Sequence, residues 1–413
     1  MSERYAPFTA PRCEALRNAL EAPVVRDLDD LVALRASLTD AENPLPALRA
    51  LVDDAPAWAD RFFTRALPSL LHAAWCLVAD GVPSVPVHGV GRRARTVIPR
   101  ATVPGWVAHM LLGTLPPPSR AHPAIDGGTL LLRTAPHELA KLQCVMELFV
   151  ATRDRPLPGR LTVERRVAPP RDVAAWGYDP AALTPLTVDD GVIEDAAGHL
   201  QVDFANRFLG GGVLTGGCVQ EEMRFSVSPE LLAAMIVSPV MEPREAVLVH
   251  GAGRFAATAG YGHKMRYAGP FDDDAPRLDD GTPDVALVAI DALDFRRGDA
   301  AMQYAPAALL REVEKARAGF LRDARGLPVA TGNWGGGAFL GDPALKAVIQ
   351  WIAASSCGRP VRYFPFGDAR VEGIAGFADA ARARFETAGA LWRRLVEVAP
   401  QRGDESLFAA LLG

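Results

Sequence analysis

The sequence predicts an α/β protein: a mixed sheet covered by helices on both faces, preceded by a helical accessory region. Three patterns carry this reading. From about residue 156 onward, short apolar runs alternate with segments of helical periodicity, the order expected when helices cover both faces of a sheet. Before about residue 120, apolar residues recur at helical spacing and prolines punctuate the joins. Glycine clusters follow two of the expected strands, which places ligand loops at the carboxyl ends of those strands.

In chain order, residues 27–38 and 57–79 read as helices, with Pro44, Pro46 and Pro83 punctuating the joins. Residues 83–100, rich in Pro, Gly and Arg, read as a solvated loop; contact of Arg92, Arg93 and Arg95 with an extended anionic polymer is the alternative. Residues 107–115 form an apolar helix stopped by Pro116, Pro117 and Pro118, and 137–149 a second helix. Strands are expected at 160–167, 186–193, 201–204, 223–227, 245–250, 264–267, 285–290, 328–330 and 361–364. A helix over 228–235 has Ser228 as its N-cap and Pro229 at its first position. Later helices cover 305–322, 343–355 and 369–398. The expected division is a helical accessory region over 1–120, an α/β domain over 121–370 and a C-terminal helical extension over 371–413.

With 413 residues, 49% hydrophobic and 23% charged, the composition is that of a soluble globular protein. A net charge of -5 and a pI near 6.0 argue against broad electrostatic binding of nucleic acid, since no basic surplus is available to neutralise a phosphate backbone. Cys13, Cys76, Cys144, Cys218 and Cys357 are odd in number and show no CxxC spacing, so a reducing cytoplasm is expected. Residues 1–20 carry Arg4, Arg12, Glu14 and Arg17 and lack a signal-peptide core, and no run of about 18 apolar residues occurs. Neither export nor a membrane partner is expected. No His cluster argues for a metal.

The chemistry concentrates in VDFANRFLGGGVLTGGCVQEEMRF, residues 202–225. Gly210, Gly211 and Gly212 permit positive φ and close backbone approach, and their successive N–H groups can form an anion-binding concavity for phosphate. Glu221 and Glu222 just beyond would oppose that charge, so acid/base work on something attached to the phosphate is their more natural use. A phosphorylated sugar fits both features. The plain alternatives are a packing turn for the glycines and a solvated face for the carboxylates. The nucleotide-binding GxGxxG reading is only weakly met, because no acidic residue stands in the expected setting about 20 positions on. A second glycine-rich segment, GNWGGGAFLGD (332–342), leads into a helix whose N-terminus suits a diphosphate. In TAGYGHKMRY (258–267), Tyr261 stands between Gly260 and Gly262, where a flat ring can stack on a purine or simply occupy an exposed turn.

The complete string, GGG then seven residues then QEE, with VDFAN before it and RF after it, resembles the poly(ADP-ribose) glycohydrolase family. The similarity runs from about residue 107 to 368. It implies a macrodomain-like fold, hydrolysis of the ribose–ribose O-glycosidic bonds of poly(ADP-ribose) on modified proteins, ADP-ribose as product, no cofactor and a place in the DNA damage response. By resemblance Glu222 is the general acid and then base, Glu221 positions the substrate ribose, and Gln220 holds nearby polar groups. Gly211 and Gly212 belong to the substrate loop, while Asp203 and Asn206 orient the ribose and that loop. Ile193 and Glu194 are matched to the adenine contacts, Tyr261 to the adenine-side tyrosine, and Asn333 to a substrate-facing asparagine. Gly335, Gly336, Gly337, Ala338 and Phe339 are matched to the diphosphate loop, and Phe366 to the adenosine-ribose phenylalanine. Residues 290–296 also match and read as structural.

If 223–227 is a strand, Glu221 and Glu222 lie on an extended segment and point apart, so that one reaches the scissile oxygen and the other a ribose hydroxyl. The competing readings are an ADP-ribose-binding module without catalysis and a hydrolase of single ADP-ribose groups. Fold alone does not separate them; the intact QEE favours the glycohydrolase.

Overall fold

The computed structural model describes residues 3–21, 23–39, 44–401 and 405–413. Its strands are β1 (Arg4–Tyr5), β2 (Val85–Pro86), β3 (Ala94–Pro99), β4 (Arg160–Val167), β5 (Leu186–Val188), β6 (Leu200–Ala205), β7 (Glu245–His250), β8 (Ala256–Ala259), β9 (Arg266–Pro270), β10 (Ala286–Asp291), β11 (Val329–Gly332) and β12 (Val361–Phe364). An 8-stranded sheet has the order β3-β4-β7-β10-β6-β11-β12-β5. The run from β10 to β5 is parallel, and β3, β4 and β7 extend it antiparallel. Strands β1 with β2, and β8 with β9, form two small separate pairs.

The period-2 alternation of side chains sends each strand's apolar residues to opposite faces. Leu287 and Ala289 of β10 join one buried cluster with the N-terminal helices, whereas Ala286, Val288 and Ile290 join a second with helices Pro306–Phe320, Pro343–Ser356 and Ala388–Val398. The result is three layers. On β6, Leu200 and Val202 face the second cluster and Ala205 the first, so Gln201 and Asp203 share Ala205's face. Those two polar positions look toward helix Gln220–Val227, whose Arg224 donates to Gln201 at 2.9 Å.

Several expected elements are corrected. Residues 223–227 are not a strand but the body of helix Gln220–Val227. The expected strand at 186–193 stops at Val188, and a 3₁₀ turn covers Ile193–Asp195. Strand β9 begins only at Arg266, after a 3₁₀ turn over Gly262–Lys264. Ser228 precedes a 3₁₀ turn, Pro229–Leu231, and makes no side-chain cap bond. The expected helix over 369–398 divides into a 3₁₀ turn and helices Ile374–Arg384 and Ala388–Val398, with Gly373 left-handed at φ 81°. The segment read as a solvated loop contains β3, which pairs antiparallel with β4 from Ala94↔Arg165 to Pro99↔Arg160. Thr96 and Ile98 are buried while Arg95 and Val97 stay exposed: a polar residue on the buried face and an apolar one on the exposed face hid the strand's period from the sequence.

Helix Pro56–Ala79, continuous through a π-helical turn at Phe62–Ala66, is long and apolar enough to cross a membrane. It carries Asp60, Arg61 and Arg65, and its Phe62, Leu67, Leu70, Leu71, Ala74 and Val78 are buried in the first cluster.

Candidate active site

The site lies at the carboxyl ends of the parallel strands, where β6 and β11 each open into a glycine-rich loop. After β6, the chain folds so that its backbone amides meet the carboxylates that follow. Glu221 accepts from Gly210 N–H at 2.7 Å and from Asn206 N–H at 2.8 Å. Glu222 accepts from Gly212 N–H at 2.9 Å and, as the third residue of its helix, from Val219 N–H at 2.8 Å, the reciprocal half of a capping box. Gln220 accepts from Phe204 N–H at 2.8 Å and so fastens the helix start to β6. Glu221 and Glu222 are only 2% and 6% exposed.

This geometry corrects two expectations. The carboxylates sit in the first turn of a helix, so they do not diverge as neighbours on a strand would; their directions differ by the helical step. The amides of Gly210 and Gly212 are taken up by the protein's own carboxylates, and Gly211 N–H donates to Phe208 O at 3.1 Å. The concavity formed by Gly210, Gly211 and Gly212 therefore holds Glu221 and Glu222, not a phosphate. The glycines are required for this approach: a Cβ on Gly211, where φ is +50°, would stand 2.5 Å from Glu222 Oε1 and 2.6 Å from Glu221 Oε2.

Asp203 completes a buried acidic trio. It is fully buried, and neither carboxylate oxygen has a hydrogen-bond partner. Burial pushes its carboxyl well above the usual range; the Arg224 guanidinium opposes the shift, and Glu222 and Glu194 add to it. Glu221 is likewise raised by burial, then by the charges of Asp203 and Glu222, against the lowering effect of the Asn206 and Gly210 amides. Both shifts favour the neutral form of Asp203 and Glu221 over the charged one.

The second glycine loop differs in what its amides do. Among the described residues, the N–H groups of Gly335, Gly337, Ala338 and Phe339 have no protein acceptor, whereas Gly336 N–H is taken by Asn333 O at 2.9 Å. The following helix does not supply free donors, because Asp342 caps it by accepting from Ala344 and Leu345 N–H. The donors open to a diphosphate are thus those of the loop itself. Phe339 is half-buried with the Arg296 guanidinium 5.3 Å from its ring centroid. Asn333 spends its side chain internally, donating to Pro365 O at 2.9 Å and accepting from Tyr363 Oη at 2.7 Å; it ties the β11 loop to the β12 loop instead of facing outward.

Two exposed rings stand beside these loops, Phe366 next to Gly332 and Tyr261 next to Cys218. Tyr261 is 61% exposed, and next to it Gly262 O accepts from Cys218 Sγ at 3.2 Å, which brings the β8–β9 turn to the start of helix Gln220–Val227. Phe366 is 49% exposed at φ 52°, a backbone strain that a phenylalanine sustains only when its surroundings hold it. Ile193 is buried to 1%, in a small cluster with Ala196, Ala330 and Phe364, so its side chain backs the site. Glu194 is half-buried and Asn206 accepts from Phe208 N–H at 3.0 Å. Among the described residues, no group of three or more His, Cys, Asp or Glu is placed to hold a metal ion.

Sequence reading passed over Arg224 and Lys141. Arg224 is the buried cation nearest in sequence to the carboxylates; once QEEMRF is read as helix, its i+3 spacing from Glu221 gives the signal. Lys141 is distant in sequence and gave none.

Fold and site together define a macro domain, the three-layer α/β class with its ligand loops at one end of a mixed sheet. Residues 173–373 match the family described as poly(ADP-ribose) glycohydrolase, macro domain fold. The chain is 31% identical over 335 residues to poly(ADP-ribose) glycohydrolase 1 of Arabidopsis thaliana, covering 64% of this chain and 61% of that protein. To poly(ADP-ribose) glycohydrolases 1 and 2 of Caenorhabditis elegans it is 39% identical over 197 and 195 residues, covering 44% and 43% of this chain and 25% and 39% of theirs. The chain is thus similar to poly(ADP-ribose) glycohydrolases, and it spans less than two thirds of the length of these relatives.

Proposed function

We propose that the chain hydrolyses the ribose–ribose O-glycosidic bonds of poly(ADP-ribose) and releases ADP-ribose. The observation that carries this reading is the pair Glu221 and Glu222, buried and seated by four backbone amides. A module that only binds has no use for carboxylates whose burial is costly. Glu222 acts as the general acid on the leaving 2′-oxygen; its carboxylate then takes a proton from the water that attacks the oxocarbenium-like carbon. Glu221 holds a hydroxyl of the substrate ribose, and Asp203 and Asn206 maintain the arrangement. The four open amides of the loop at 335–339 receive the diphosphate, Tyr261 stacks on adenine beside Glu194, and Phe366 packs on the adenosine ribose. The diphosphate's own charge favours the cationic transition state.

The reading extends to a cytoplasmic setting, supported by five free cysteines, and to removal of polymer made after DNA damage. Direct sequence-specific nucleic-acid binding forms no part of it. The test is to incubate the protein with automodified polymer and resolve the products, alongside Glu222→Gln. Because both Glu222 oxygens accept N–H donors, the Gln amide opposes one of them as well as lacking the acidic proton. Cleavage should fall by at least the ~10²–10⁴ of lost general acid catalysis, with ADP-ribose still bound. A parental protein that binds ADP-ribose but releases none from polymer would be a reader instead.

A further inference from the structure

Helix Pro136–Ala151 lies ahead of residues 173–373, which match the macro domain fold, yet it reaches the centre of the site. Lys141 is fully buried. Its ammonium donates to four carbonyls of one loop: Thr215 and Gly217 at 2.6 Å, Val213 at 3.0 Å and Gly212 at 3.2 Å. Converging carbonyl dipoles repel one another unless a cation stands at their focus. Gly212 thus offers its C=O to Lys141 and its N–H to Glu222, so the curvature imposed on one side of the loop sets the carboxylate's seat on the other. The same helix also holds the β8–β9 hairpin that carries Tyr261: His137 meets His263 at 3.3 Å, and Glu147 accepts from Tyr267 Oη.

We propose that Lys141 is a positioning residue: it fixes the bend of the loop at 212–217 and thereby seats Glu222, making the accessory helix a working part of the active site. This rests on the glycohydrolase reading for its kinetic consequences only. The titratable and charged groups facing the ammonium are Cys218 and Glu222 from the loop and helix Gln220–Val227, Glu138 from its own helix, and Arg133 from the turn before it, together with His137. Burial brings the lysine down to about 8. Its clamp is therefore complete below that pH and released above it, and the parental kcat should show an alkaline limb there.

Lys141→Met tests the assignment. Hydrogen exchange at the amides of 210–217 should quicken by about tenfold or more while 333–341 is unchanged. On polymer, kcat should fall by about 10²-fold, as for a misplaced catalytic group, with the Kd for ADP-ribose shifted less than about threefold and the alkaline limb gone. Lys141→Arg keeps a charge that does not titrate but has a planar fork ill-suited to four converging carbonyls; it should give a reduced kcat with no limb near pH 8. Unchanged exchange at 210–217, a kcat within about twofold of the parent, or equal losses in kcat and ADP-ribose affinity overturns the proposal. If the Met variant does not fold, a flat parental kcat through about pH 9.5, or full activity in the Arg variant, overturns it equally. If the parent cleaves no polymer, the function fails while the exchange experiment still decides the clamp.

Discussion

Adding a single methyl at Gly211 should disable the site while leaving the rest of the molecule folded. Gly211 stands at φ +50°, and its Cβ would lie 2.5 Å from Glu222 Oε1 and 2.6 Å from Glu221 Oε2, well inside van der Waals contact. Alanine in the left-handed region costs about 1–2 kcal/mol. Relief of the overlap requires at least one carboxylate to leave its backbone donors, and a hydrogen bond to a charged group is worth about 1.5–3 kcal/mol. The loop cannot retreat cheaply, because four of its carbonyls are held by Lys141. The two terms place the penalty at about 3–5 kcal/mol. At about 2.1 cal/mol/K per residue, 413 residues melting as one unit lose about 1 °C per kcal/mol, so Tm should drop by about 3–5 °C. If Glu221 and Glu222 act as proposed, their displacement by about 1 Å should lower kcat on polymer by about 10²-fold, whereas ADP-ribose affinity, which the proposal assigns to the other loop and the rings, should change little. Differential scanning fluorimetry, calorimetric titration and product analysis measure the three quantities. A Gly211→Ala protein with parental kcat would show that the glycine's openness toward the carboxylates is irrelevant to catalysis.

Asp203→Asn should abolish turnover yet raise Tm, with a gain that grows with pH. In the unfolded chain the carboxyl ionises above about 3.9, whereas in the folded protein burial keeps it protonated to higher pH. The parent therefore loses up to about 1.4 kcal/mol per pH unit as pH rises through this window, a loss the Asn variant escapes. Melting both proteins from pH 5 to 8 (about the range where such a window opens) settles the point: a Tm difference that shrinks with rising pH removes the assignment. Phe366→Gly should relieve about 1 kcal/mol of backbone strain while costing about 1–3 kcal/mol in ADP-ribose binding through the lost stacking face; unchanged affinity takes the ring out of the site. Tyr261→Ala should show the same loss of affinity without a gain in stability, and calorimetry on both variants separates the two effects.

The sequence by itself determined the α/β class, because alternation of short β-rich runs with amphipathic helices is local and periodic. Strands β4, β7 and β12 span the residues expected of them. The strings around Gly210–Gly212, Tyr261 and Gly335–Phe339 were legible for the same reason, since each is contiguous. Tertiary structure alone decided what these groups touch. Met223–Val227 has the apolar content of a short strand, but the amides of Asn206, Gly210 and Gly212 bind the carboxylates ahead of it and the segment begins a helix. Buried polar Thr96 and exposed apolar Val97 obscured β3, which becomes a strand by pairing with β4, 61 to 71 residues away in the chain. Which loop keeps open amides, why burial raises the Asp203 carboxyl, and that a lysine 71 residues before Gly212 grips it are consequences of long-range burial. Desolvation and hydrogen-bond saturation depend on everything that surrounds a group, and no local stretch of sequence contains its surroundings.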